Sequence, residues 1–145
     1  MRAYWAQFVR ESDKIVVTFP HLPFGVTQGD DEADARTMAH DAVLSVIHML
    51  MRDREALPAD QSDVRKRGKG YQLIHLSAME SLKCDLYEAM REQKVTKAAL
   101  ARKLNANQIQ MDRLLNLFHA SKMEQLEAAL SALGLRVTAG VERAA

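Results

Sequence analysis

The residues with most chemistry to offer lie between Thr96 and Arg113, where Gln108, Ile109, Asp112 and Arg113 recur on one side of a short helical period. That spacing gives the four one helix face, and such polar and apolar side chains can meet base edges in a major groove. Thr96 and Lys97 open the preceding helical stretch and are of the type that holds phosphates and sets register, as are Arg102, Lys103 and Lys122. A helix-turn-helix further needs apolar residues where its helices meet, a small residue at closest approach, and a turn residue that tolerates positive φ. Leu100, Leu104, Met111 and Leu114 supply the first, Ala101 the second, and Asn105 the third, since asparagine reaches the left-handed region. Asn107 can cap the second helix through its side-chain oxygen. The same inward pattern also serves pure packing, but with the outward set and a basic half it favours double-stranded DNA. Asp112 runs against that reading, because a carboxylate repels phosphate unless it accepts from cytosine or pairs with Arg113.

A second set is acidic: Glu11, Asp13, Asp30, Asp31, Glu32 and Asp34. A two-metal nuclease needs carboxylates converging from separate elements, whereas consecutive residues at a helix start splay apart. Helix capping and attraction of a basic partner are the better readings, and one carboxylate can serve both. The 145-residue chain has net charge +1, yet residues 1–60 hold 6 basic and 10 acidic side chains and residues 61–145 hold 14 and 9. This asymmetry suits a nucleic-acid-binding part joined to a part that avoids or imitates nucleic acid. His40 and His48 lie eight apart, lack the i, i+4 spacing of a helical metal pair, and read as surface residues. His21, His75 and His119 suggest no triad, and Cys84 reads as a structural thiol. No metal site or cofactor is implied. A single cysteine points to the reducing cytoplasm, and no apolar run approaches the length of a membrane span.

The elements that must position these groups follow from periodicity. Ala3 to Phe19 alternates as a β-hairpin with large side chains on both faces, which predicts cover on both sides of the sheet. Pro20 and Pro23 shape a turn, and a short third strand follows around Val26-Thr27-Gln28. Asp31 can cap a helix whose stripe is Ala35, Met38, Ala39, Ala42, Val43, Val46, Ile47 and Leu50. Leu57-Pro58 marks its end, residues 59–70 form a polar, basic, flexible connection, and Tyr71–Leu76 alternates as a fourth strand. Four helical stretches follow from Ala78, the last opening on a Ser121/Glu124 capping box and closing at Gly134, with Leu135–Thr138 a possible closing strand. The expected class is α+β, a βββαβ domain over residues 1–77 followed by an all-helical domain over 78–145.

Tyr4-Trp5-Ala6, the run Ile15-Val16-Val17-Thr18-Phe19-Pro20-His21-Leu22-Pro23, then Gly25-Val26-Thr27-Gln28-Gly29-Asp30 and Ala56-Leu57-Pro58 resemble the HicB antitoxins over residues 3 to about 76. The second half is similar to the Xre-like helix-turn-helix domain that some HicB proteins carry. The resemblance implies a partial RNase H-like domain that blocks a small, basic, HicA-type mRNA-cleaving toxin, and a C-terminal domain that represses the operon as a homodimer or higher homo-oligomer. Under it the toxin contacts are Trp5 and Phe24, as aromatic anchors unless they are core, with Glu11, Asp13, Asp30, Asp31, Glu32 and Asp34 as acidic contacts. Dimer pairing is expected through the C-terminal domain with help from Leu135 to Val141. The alternative is a stand-alone helix-turn-helix regulator whose first domain senses a ligand and therefore holds a pocket. A residual nuclease is a weaker third possibility.

Overall fold

The computed structural model describes residues 1–66 and 68–144, so Arg67 of the basic connection and Ala145 lie outside the described residues. The chain divides into two compact units, Met1–Ser81 and Leu82–Ala145, and the architecture is α+β.

The first unit contains β1 (Ala3–Glu11), β2 (Lys14–Thr18), β3 (Val26–Gly29), α1 (Glu32–Arg52), β4 (Tyr71–His75) and the start of α2 (Ala78–Gln93). The strands form one sheet in the order β3-β2-β1-β4, antiparallel at every pairing. Register follows from alternation: Phe8 faces Val17 and Tyr4 faces Ile74, which with buried Ala6 puts the even positions from Tyr4 to Phe8 on one buried face. α1 covers that face with Ala35, Ala39, Val43, Leu44, Ile47 and Met51. This ridge is narrower than the stripe expected from the sequence, and Met38 on its flank stays 39% exposed. Gly29 permits the close approach of β3 to α1, because a Cβ there would lie 2.7 Å from the Asp34 carbonyl carbon and closer still to the Ala35 backbone.

The other sheet face departs from expectation. Trp5, Gln7, Val16 and Leu73 are half-buried and Val9 is 45% exposed, so among the described residues no second layer covers this face as α1 covers the first. The connection after α1, expected to be flexible, is instead pinned beside β1 where β2 has ended. Ala3 N donates to Asp60 Oδ1 at 2.8 Å, Gln61 N to Ala3 O at 2.9 Å, and Trp5 N to Gln61 Oε1 at 2.9 Å. These bonds satisfy edge groups that a strand would otherwise satisfy.

The second unit packs the rest of α2 with α3 (Lys97–Leu104), α4 (Gln108–Leu114) and α5 (Met123–Ala132) around fully buried Leu86, Leu100, Met111, Leu126 and Ala129. Gly134, at φ 80°, ends α5, with Leu135 N donating to Leu130 O at 2.9 Å. Its start corrects the sequence reading: Lys122 is the N-cap, without a side-chain cap bond, because the Ser121 hydroxyl is engaged by Lys83. The closing strand expected at Leu135–Thr138 is irregular backbone instead. Among the described residues, no helix is long and apolar enough to cross a membrane.

Candidate nucleic-acid interface and acidic surface

α3 and α4 meet through Leu100 and Ala101 on one side and Met111 and Leu114 on the other, all buried. Between them Asn105 adopts φ 52°, ψ 44°, the left-handed geometry its position demanded, and Ala106 N closes back on Ala101 O at 2.9 Å. Thr96 Oγ1 caps α3 by accepting from Ala99 N at 3.1 Å. Asn107 caps α4, accepting from Gln110 N at 2.9 Å while Gln110 Oε1 accepts from Asn107 N at 2.9 Å. The Gln110 half of this box went unnoticed in the sequence, although Asn-x-x-Gln is its signature. With the apolar residues turned inward, Gln108, Ile109, Asp112 and Arg113 are all exposed, Ile109 to 61%.

Asp112 resolves differently from the pairing with Arg113 considered above. Its Oδ1 accepts from Lys97 Nζ and from Gln108 Nε2, both at 3.0 Å. The Lys97 hydrogen bond, assisted by that ammonium's charge, holds the carboxyl below its ordinary range. One carboxylate thus ties together a base-facing candidate and a phosphate-facing candidate.

The residue most conspicuous in the structure was passed over in the sequence. Lys83 of α2 is completely buried, and the three protons of its Nζ are shared among four acceptors within hydrogen-bond distance, Arg113 O at 2.9 Å, Asn116 O at 2.8 Å, His119 O at 2.6 Å and Ser121 Oγ at 2.9 Å. Burial pushes its ammonium down to about 8, against the pull of four oxygen acceptors. The available signal was its place four residues after Met79 and three before Leu86, inside the inward stripe of α2. Gln93, farther along α2, donates to Leu133 O at 2.9 Å, so α2 caps the end of α5 as well.

In the first unit the acidic set is largely engaged in local bonding. Asp31 caps α1, accepting from Asp34 N at 2.8 Å, and Asp34 reciprocates by accepting from Asp30 N at 2.8 Å. Asp30 pairs with Lys14, whose ammonium is raised above its ordinary value chiefly by that hydrogen bond. Glu32 accepts from Gln72 Nε2 at 3.2 Å. All four nonetheless remain exposed, and Glu11 and Asp13 stand at the β1–β2 turn. The aromatic candidates separate. Trp5 sits on the open sheet face, its Nε1 donating to Val64 O at 2.7 Å. Phe24 is 4% exposed and stacks edge-on against Tyr4 and Phe19 at ring separations of 4.9 and 5.3 Å, so it belongs to the core and leaves the contact set. His40, read as a surface residue, is part-buried with Nε2 2.9 Å from Glu80 Oε2.

The order of strands, the long capped helix and the turn around Pro20 lie within a region that known proteins share. Residues 3–85 match the family described as the HicB-like antitoxin of bacterial toxin–antitoxin systems. Antitoxin HicB of Pseudomonas fluorescens (strain Pf0-1) is 29% identical over 144 residues, covering 99% of this chain and 97% of that one. Antitoxin HicB 2 of Photorhabdus laumondii is 28% identical over 131 residues, 90% of each chain. Antitoxin HicB of Escherichia coli (strain K12) is 29% identical over 119 residues, 82% of this chain and 83% of that one. The class is therefore that of an antitoxin of a bacterial toxin–antitoxin system. Within it, the chain belongs to the HicB-like antitoxin family.

Proposed function

We propose that the chain neutralises a small, basic, HicA-type mRNA-cleaving toxin through its first unit and binds operator DNA through its second, repressing its own operon as a homodimer or higher homo-oligomer. The observation that carries the DNA half is the α3–α4 pair, which turns Leu100, Met111 and Leu114 inward and leaves Gln108, Ile109, Asp112 and Arg113 exposed together. One such helix supplies few base contacts, so two copies on an inverted repeat account for specificity better than one. The toxin half draws on family membership, on the exposed carboxylates at the start of α1, and on Trp5 within a half-open sheet face. Negative charge there is complementary to an RNA-binding, basic partner.

The test is co-expression with the small basic protein encoded beside the gene, purification through a tag on this chain, and assay of RNA cleavage. Co-elution with lost cleavage is the expected result, and a shift of duplex from the upstream region is expected of the same preparation. A second reading, a ligand-sensing regulator, draws on a cleft of about 540 Å³ in the first unit between the Pro20–Pro23 turn, Leu50 and the Leu57–Gln61 segment. Absence of a neighbouring toxin gene, with a small molecule altering DNA affinity, would favour it.

A further inference from the structure

We infer that Lys83 is the positioning residue of the DNA-reading helix: from inside the second unit it fixes the C-terminal end of α4 and so sets where Arg113 and Asp112 point. The inference rests on the operator-binding reading and adds a residue that makes no contact with DNA. α4 has seven residues, less than two full turns, so its ends decide its orientation. Its N-terminal end is fixed by Asn107 and Gln110. At its C-terminal end the Arg113 carbonyl accepts from Asn116 N at 3.2 Å, in a tightened last turn, and from the Lys83 ammonium at 2.9 Å, which also reaches the Asn116 and His119 carbonyls of the following loop. A cation suits this end, where the helix dipole is negative. Arg113 therefore has two opposed duties, its backbone held by a buried cation and its guanidinium turned outward. A shift in the grip on the first moves the second directly.

An apolar residue at this place would have packed α2 against α4 without the cost of burying a charge. What lysine adds is direction: four oxygens from Arg113, Asn116, His119 and Ser121 converge on one atom, which defines the path of residues 113–121 more narrowly than apolar packing does. The phosphate-facing candidates Thr96 and Lys97, the cap and first residue of α3, make no hydrogen bond to this lysine; Lys97 meets α4 through the exposed Asp112, and its charge stays at the surface whichever way that carboxylate points. Loss of the ammonium should thus degrade reading of sequence while sparing attraction to the backbone.

The experiment compares the full-length wild type with Lys83→Met and Ser121→Ala. Fluorescence anisotropy is read with a duplex from the region upstream of the gene and with a scrambled duplex of the same length. Amide exchange is followed over residues 111–117 in the absence of DNA. Lys83→Met is expected to reduce preference for the upstream duplex about tenfold, the equivalent of one lost base contact. Affinity for the scrambled duplex and its salt slope should stay within about twofold. Exchange should accelerate at 111–117 and not in α3. Ser121→Ala, which keeps the lysine and removes one of its acceptors together with that hydroxyl's own bond to Arg113 O at 3.4 Å, loosens the same end of α4 and should move the same readouts less far. Unchanged preference in Lys83→Met overturns the inference, as does a parallel loss for both duplexes. If Lys83→Met does not fold, Ser121→Ala decides: reduced preference supports the inference and unchanged preference overturns it. A wild type without preference for any duplex overturns the operator reading itself, and the exchange data then report on the anchoring of α4 alone.

Discussion

Substituting Asp112 by asparagine is expected to strengthen DNA binding. In the free protein the Asp112 carboxylate holds Lys97 Nζ and Gln108 Nε2, each at 3.0 Å, so neither can meet a duplex without sharing or leaving that partner. Both ends of the ion pair are about half exposed, 49% and 52%, which puts the cost of breaking it at the low end, about 0.5 kcal/mol. The same carboxylate would lie near the phosphates, and at about 8 Å in water its repulsion adds about 0.5 kcal/mol. Asp112→Asn removes both terms and keeps an acceptor for Gln108, so affinity should rise about fivefold at low salt, with a smaller gain at high salt. Anisotropy titrations at several salt concentrations measure it, with the upstream and scrambled duplexes in parallel. A gain on both duplexes is the signature of a relieved restraint. If Asp112→Asn instead weakens the upstream duplex and leaves the scrambled one unchanged, the carboxylate accepts from a base, and the restraint argument fails.

Further outcomes follow from packing and burial. Gly29→Ala should destabilise the first unit by about 1–3 kcal/mol, since the new Cβ meets the backbone of Asp34 and Ala35, while Gly25→Ala, with nothing within 4 Å, should cost only its left-handed φ; chemical denaturation compares the two. Phe24→Ala should cost about 3–5 kcal/mol of stability through the cavity between Tyr4 and Phe19. Trp5→Ala should cost less stability but weaken the toxin complex by about 2 kcal/mol, as calorimetry of purified pairs would reveal. Lys83 gives a pH signature. Its ammonium lies at about 8 in the fold against 10.5 in the open chain, so between these values the unfolded state binds the extra proton and stability rises with pH. The wild type should gain up to about 3 kcal/mol over Lys83→Met between pH 8 and 10.5, and a gap independent of pH would contradict a lysine buried with its charge.

What could be read in the sequence was what acts over four residues or fewer. Asp31 three before Asp34, Asn105 at the end of α3, Asn107 opening α4 and Gly134 closing α5 each declare themselves through a local backbone need, and the structure uses all four as such. Alternation along β1 marked a strand for the same reason, because its period is fixed by the pleat, but large side chains on both faces left the face that α1 covers unread. Apart from Gln110, whose capping partner Asn107 is three residues away, the side chains misread or overlooked are those whose partners are remote. Lys83 reaches Arg113 across 30 positions, Lys97 reaches Asp112 across 15, and His40 meets Glu80 across 40. Ser121 shows the two scales in competition. Its spacing to Glu124 satisfied the local rule for a cap, yet a buried ammonium 38 positions away engages the same hydroxyl, and α5 begins without it. A neutral hydroxyl-to-amide bond contributes about 1 kcal/mol, whereas a bond to a buried charge contributes about 1.5–3 kcal/mol and spares the larger cost of leaving that charge short of acceptors. Where local and remote demands meet at one side chain, the buried charge prevails, and polar residues in apolar stripes are therefore the places where a sequence pattern most needs its tertiary partners.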